Sequence, residues 1–190
     1  MKEQELRSIA NQLSCPVGED GVEVGNKMNE FNQFLTRQTI SKLNVKRGES
    51  IVEMSDVMAA EARRNLSNKK CSIEIVCGNC LDVEIETGSI DGVLAVNILY
   101  FIDDLIPFFK KIITWMKSDG TAVFGIRPDT VLKDLPFTQY GFNIRSTVDI
   151  KSLMETAGFV SIESFVQEGD MFPYEDRMIP VDSVIIVGKK

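Results

Sequence analysis

The sequence contains no histidine. That removes imidazole as a general base, as a metal ligand and as the middle member of a nucleophilic triad. Cysteine is scarce, with only Cys15, Cys71, Cys77 and Cys80. Four such residues fit reduced thiols better than a disulfide framework. A zinc site would have to gather all four from scattered positions, so no metal is expected. Cys77-Gly-Asn-Cys80 matches C-x-x-C. A reactive dithiol, however, sits at a helix start that lowers its thiol pKa, and the Leu-Asp-Val-Glu-Ile-Glu-Thr-Gly that follows does not read as helix. Positive charge is in the minority: 21 Lys and Arg against 28 Asp and Glu give a net charge of -7 and a pI near 4.8. This argues against non-specific binding to nucleic acid or to an anionic membrane surface. No apolar run approaches the roughly 20 residues that span a bilayer. The opening Met-Lys-Glu-Gln-Glu-Leu-Arg is polar, without the apolar core of a signal peptide. A cytoplasmic protein with neither membrane nor nucleic-acid partner is expected.

What is present is an ordinary globular balance, 44% hydrophobic and 26% charged over 190 residues. That is enough for one domain, 1–190, with a core of its own. Residues 1–45 read as an N-terminal helical cap or lid and 46–190 as the core. Ser14 to Gly25, with a proline and three glycines, reads as a loop. A helix over 29–43 follows, with Phe31, Phe34, Leu35 and Leu43 as its apolar face. Met28, Phe31 and Phe34 are read as helix packing rather than as a lid over a substrate. A short strand covers 50–55. Met58, Ala62 and Leu66 fall at helical spacing over 56–66, and an alternating strand covers 71–78. The run from Asp91 to Leu99 is continuously apolar, as in a central parallel strand. Leu105, Phe108, Phe109, Ile112 and Met116 form one helical stripe, with Asp103 and Asp104 at its start and Gly120 as its stop. A strand over 121–127 and a helix over 146–159 come next, the helix opening on a Ser146–Asp149 capping box and ending at Gly158. Strands over 160–167 and 183–189 close the chain without a helix between them, so they are expected to pair antiparallel. The order predicts an α/β fold: an open, mostly parallel, Rossmann-like sheet with helices on both faces, an antiparallel edge at the C-terminal end and an N-terminal helical cap.

In such sheets ligands sit beyond the carboxyl ends of the strands. Three places qualify: Glu53 to Asp56, Gly78 to Cys80, and Asn97 to Tyr100. From about Asn29 onward, the segments Ser50–Ser55, Gly78–Cys80, Ser89–Asp104, Phe108–Ile126 and Leu153–Ser164 occur in an order and spacing that resemble class I S-adenosylmethionine (SAM)-dependent methyltransferases. The resemblance implies SAM as cofactor and a small-molecule methyl acceptor. It implies cofactor contacts at Glu53, Met54, Ser55, Gly78, Asn79, Cys80 and Asn97, and an acceptor side lined by Asn97 and Tyr100. Each has a plainer reading: Glu53 as a polar strand end, Asn79 as a turn residue, Tyr100 as core packing.

The sequence departs from the family at one point. There the first strand runs into a Gly-x-Gly-x-Gly loop, whose glycines let the backbone approach the ligand. A helix and a second strand with a ribose-binding acid follow. Here Ser55 is followed directly by Asp56-Val57-Met58. About 20 to 30 residues are missing by typical βαβ lengths. The helix over 56–66 can still serve as a right-handed crossover. The resemblance and this departure from it imply two alternatives: a SAM-dependent methyltransferase acting on a small molecule, or a non-catalytic methyltransferase-like binding domain with a crippled SAM site. The expected pocket is bounded by Glu53, Gly78, Asn79 and Asn97, and open where the glycine loop would lie.

Overall fold

A computed structural model describes residues 2–43, 51–53, 82–174 and 176–190, with backbone alone at 29 and 51–53. Two helices open the chain, α1 (Glu3–Ser14) and α2 (Gly18–Leu43). The segment Ser14 to Gly25, expected as a loop, is mostly helix, and only Cys15 to Val17 turn. Gln12 holds that turn: the Val17 N–H donates to Gln12 Oε1 (2.9 Å) and Gln12 Nε2 donates to the Val17 carbonyl (3.2 Å). Gly21 is needed for packing rather than turning, because a Cβ there would lie 2.8 Å from the Pro16 backbone.

Next come β1 (Ile51–Glu53), β2 (Ile90–Val96), a 3-10 turn (Leu99–Phe101), α3 (Leu105–Trp115), β3 (Met116–Ile126), α4 (Asp129–Lys133) and a second 3-10 turn (Pro136–Gln139). The chain ends with α5 (Thr147–Ala157), β4 (Ser161–Gln167), β5 (Met171–Tyr174), β6 (Arg177–Pro180) and β7 (Ser183–Lys189). The helix expected over 56–66 and the strand over 71–78 lie outside the described residues.

The main sheet runs β1-β2-β3-β7-β4. β1 pairs parallel with β2 and β2 with β3, while β7 runs antiparallel to both β3 and β4. The expected mostly parallel sheet with antiparallel pairing near its C-terminal end is therefore present, with the reversed strand one place in from the edge. Period-two alternation sends successive residues to opposite faces. Val93, Ala95, Ala122, Phe124 and Ile186 meet α3 and α5 in the larger core, and Leu94, Val123 and Ile185 meet Leu35 and Leu43 of α2. Phe108, Phe109 and Ile112 are completely buried, each stabilising by about 2–3 kcal/mol relative to exposure. Phe31 and Phe34, expected on the apolar face of α2, are exposed instead. Helical periodicity alone does not separate them from Leu35 and Leu43.

The caps follow the residues. Asp104 accepts from the Ile106 N–H at the start of α3 (3.0 Å), Ser146 and Asp149 form the reciprocal box on α5, and Gly158 ends α5 at φ 115°. Gly120 does not stop α3. The helix ends at Trp115, and Met116 already pairs with Ile90 as the first residue of β3. Gly120 instead lies in an irregularity of β3 between the pairs Ile90–Met116 and Gly92–Thr121, beside the Lys117–Asp91 ion pair (2.7 Å). The β5–β6 hairpin was not expected from the sequence; as a separate two-stranded sheet it tolerates Pro173 and Pro180.

α2 approaches the sheet over two glycines. A Cβ on Gly92 would sit 2.9 Å from Leu43 Cδ1, and one on Gly125 would overlap Thr39 Oγ1 and sit 3.0 Å from Leu35 Cδ1. Thr39 is itself fully buried and donates back to the Leu35 carbonyl (2.7 Å). We expect Gly125→Ala to destabilise the fold by about 1–3 kcal/mol through overpacking, read from a shift of the urea midpoint at unchanged slope. An unchanged midpoint would show that α2 does not lie against β3 as described.

Candidate functional site

Asn97 follows β2 directly and has φ 57°, the only positive φ of a non-glycine among the described residues. The left-handed region costs L-residues about 1–2 kcal/mol, least for Asn and Asp. The backbone is fixed there because the Asn97 N–H donates to the Gly125 carbonyl (2.8 Å), extending the β2–β3 ladder by one bond. The side chain is held at both ends. Nδ2 donates to Asn32 Oδ1 on α2 (2.8 Å), and Oδ1 accepts from the Tyr100 hydroxyl (2.5 Å).

Tyr100 belongs to the core and bonds to Asn97. Its ring is buried, stacked on Phe142 (centroids 5.4 Å apart) and edge-on to Phe101. Burial pushes its phenol pKa well above the ordinary value, only partly offset by the nearby Arg127 charge. At neutral pH Tyr100 is a neutral donor that orients Asn97, and a phenolate base is excluded.

Arg127 was not singled out from the sequence. It follows β3 directly and precedes Pro128, which biases it to extended backbone. Its Nη1 donates to the Val181 carbonyl (2.5 Å) and the Asp182 carbonyl (3.3 Å). Its Nη2 reaches the Phe31 carbonyl (3.3 Å) and Asn32 Oδ1 (3.5 Å). Burial lowers its pKa, opposed by Tyr100 and Asp182, and it stays cationic. The available signal was its place one residue past an apolar strand, at the carboxyl edge. α2 and the β5–β6 hairpin meet above it, where Phe31 packs edge-on to Phe172 (4.3 Å).

Thr36 is a second residue the sequence did not mark. Its hydroxyl oxygen is buried and has no hydrogen-bond partner. It lies one turn beyond Asn32, so both belong to one stripe of α2.

Of the expected site residues, Glu53 ends β1 opposite Leu94 of β2. Glu53 and Asn97 thus occupy the ends of adjacent parallel strands, offset by three residues, or about 10 Å at strand rise. Met54, Ser55, Gly78, Asn79 and Cys80 lie outside the described residues, as do Cys71 and Cys77. Cys15 is a free, exposed thiol. Asp103 and Asp104 are structural: Asp104 caps α3, and Asp103 Oδ1 accepts from Asn143 Nδ2 (2.9 Å). Among the described residues no group of three or more Cys, Asp or Glu could hold a metal ion, and no helix is long and apolar enough to cross a membrane.

Residues 40–124 match the model of a methyltransferase domain. No curated protein matches the sequence significantly. Solved structures share the fold. A SAM-dependent methyltransferase and possible histamine N-methyltransferase from Thermotoga maritima is 20% identical, with 89% of this chain and 96% of that one covered and a TM-score of 0.62. A Haloferax volcanii putative methyltransferase complex with the Trm112 activator is 13% identical over 97% of this chain and 96% of that one, TM-score 0.70. Phosphoethanolamine N-methyltransferase 2 of Haemonchus contortus, bound to phosphomonomethylethanolamine and S-adenosylhomocysteine, is 11% identical over 97% of this chain and 60% of that one, TM-score 0.62. The fold read from the residues is therefore that of class I methyltransferases.

The Asn97 geometry makes an ordered prediction. Asn97→Ala loses both side-chain hydrogen bonds and strains the backbone, costing about 2–3 kcal/mol. Asn97→Gly loses the same bonds without the strain and should be about 1 kcal/mol less destabilising. Equal losses in urea denaturation would contradict the left-handed assignment.

Proposed function

We propose that this chain, whose residues 40–124 match a methyltransferase domain and whose fold is that of solved methyltransferases, transfers a methyl group from SAM to a small-molecule acceptor. The observation that carries this reading is the carboxyl end of the β1–β2 pair. It joins an acid at the end of one strand, a left-handed Asn at the end of the next, and the unpartnered Thr36 hydroxyl on the stripe of α2 that meets Asn97. A buried hydroxyl without a partner costs about 1–3 kcal/mol, and a bound polar ligand is what would relieve it. The donor set suits a nucleoside with an amino-acid tail: Glu53, Met54 and Ser55 on the β1 side, Gly78, Asn79 and Cys80 for the adenine, and Asn97 between cofactor and acceptor. The Thermotoga and Haemonchus proteins named above act on, or are assigned to, small amines, and the acidic composition agrees with such an acceptor better than with RNA.

When bound, SAM would supply an electrophilic methyl carbon on its sulfonium, open to in-line attack by the acceptor's lone pair as the methyl–sulfur bond breaks and the neutral thioether S-adenosylhomocysteine leaves. The protein's part is position and exclusion of water. Tyr100 stays protonated and fixes the Asn97 carboxamide, and Asn32 fixes it from α2. Neither takes a proton. With no histidine and a neutral Tyr100, the chemistry suits an acceptor that is nucleophilic unaided, an amine or a thiol. α1 and the exposed half of α2, with the β5–β6 hairpin, form the lid in this reading.

The second reading, a methyltransferase-like domain that binds without catalysing, rests on one sequence fact: Ser55 runs into Asp56 with no glycine loop. Calorimetry separates the two. We expect SAM and S-adenosylhomocysteine to bind with Kd in the micromolar range. Thr36→Val should keep or raise the melting temperature while weakening SAM about 5- to 10-fold, the equivalent of one hydrogen bond. No heat at millimolar SAM would remove the enzyme reading. Unchanged SAM affinity in Thr36→Val would remove Thr36 from the site.

A further inference from the structure

Arg127 carries a charge that no described carboxylate answers. Among the described residues no carboxylate pairs with it. Its four acceptors are three carbonyl oxygens and one amide oxygen, and only the Val181 contact is short. Asp182 is the acid whose charge it feels, yet that carboxylate accepts from the Gly169 N–H (2.9 Å) and makes no ion pair with Arg127. Among the described residues its bonds run from Nη1 and Nη2, and none from Nε. A half-buried guanidinium without a counter-ion pays part of its desolvation unanswered, and this chain has a surplus of acids from which one could have been placed nearby. The position is also specific. Arg127 stands at the carboxyl edge next to β2, touches the Asn32 that holds Asn97, and donates to the carbonyl of Phe31, whose ring packs on Phe172. The two Nη2 contacts, at 3.3 and 3.5 Å, are long enough to be exchanged for a better acceptor.

We propose that Arg127 is the binding residue for an anionic group on the methyl acceptor, a carboxylate or a phosphate. The acceptor is then a small zwitterion or amino acid-like molecule, its anionic end on the Nε–Nη2 edge of Arg127 and its nucleophilic atom toward Asn97. A planar fork of donors matches either oxyanion in two-point contact, and charge assistance makes such bonds about twice as strong as neutral ones. The inference rests on the reading of this carboxyl end as an acceptor pocket, but its test does not need transfer.

The test is the Nε–Hε NMR signal of Arg127 in the whole protein, assigned by its disappearance in Arg127→Lys. Should that variant fold poorly, Arg127→Gln assigns it equally. Inorganic phosphate and, separately, acetate are titrated at constant ionic strength. The Nε–Hε signal of Arg7, whose guanidinium already pairs with Glu3 at the surface, is the internal control. We expect a saturable downfield shift at Arg127, at millimolar or lower concentration, with Arg7 unmoved. The preferred anion tells a phosphate-bearing from a carboxylate-bearing acceptor. An Arg127 signal that moves no more than that of Arg7 with either anion overturns the inference, whether or not SAM binds. A saturable Arg127 shift in a protein that fails to bind SAM supports the anion site and removes the transfer reading alone.

Discussion

The close approach of α2 to the sheet is the constraint on which the rest depends. Gly92 and Gly125 leave no side chain between the helix and strands β2 and β3, and Leu43, Thr39 and Leu35 occupy the space. This fixes the height of α2 over the sheet. One turn further toward its N-terminus, the helix then delivers Asn32 to Asn97 and the Phe31 carbonyl to Arg127. The site thus inherits its geometry from packing. A helix held a Cβ diameter higher would break the Asn32–Asn97 bond and leave the left-handed Asn97 without support from α2.

The site proposed around Asn97 is made of amides, a neutral phenol and one guanidinium rather than of acids and bases. A buried polar network has to be nearly complete to be tolerated. Asn97 meets this with bonds at both ends of its side chain and one from its backbone, and Tyr100 with its hydroxyl and its carbonyl, which accepts from the Asn143 N–H (2.7 Å). Two groups remain incompletely answered, the Thr36 hydroxyl and the Arg127 charge. Both lie on the side where α2 crosses the strand ends. Incomplete satisfaction concentrated in one place is what separates a binding surface from a structural network, and it fits chemistry that needs placement more than proton transfer.

Much of the fold was legible in the residues. The stripe Leu105, Phe108, Phe109, Ile112 marked α3, although Met116, expected on it, opens β3; the Ser146–Asp149 pair marked the start of α5, and the apolar run at 91–99 marked β2, an interior parallel strand. These are local patterns with strong physical causes. Boundaries failed where glycine and proline serve packing rather than turning. Gly21 lies inside α2 because Pro16 needs the room, Gly120 marks an irregular stretch of β3, and Pro173 and Pro180 sit in a hairpin outside the main sheet. In the proposed site, Asn97 and Tyr100 could be singled out because they lie just past the end of a strongly apolar strand. Arg127 and Thr36 were not. The uncompensated state of each depends on residues distant in sequence, at 31–32 and 181–182 for Arg127, and no local pattern reports a missing partner.

The central claim is that the carboxyl end of β1 and β2 binds SAM although the glycine loop of the family is absent from the sequence. Amide hydrogen exchange with and without saturating SAM tests it most directly. The account predicts slowed exchange at the end of β1, over 96–101 and along α2 around Asn32 and Thr36, with the amino ends of the same strands unchanged. Protection confined to other surfaces, or none at saturating SAM, would contradict it.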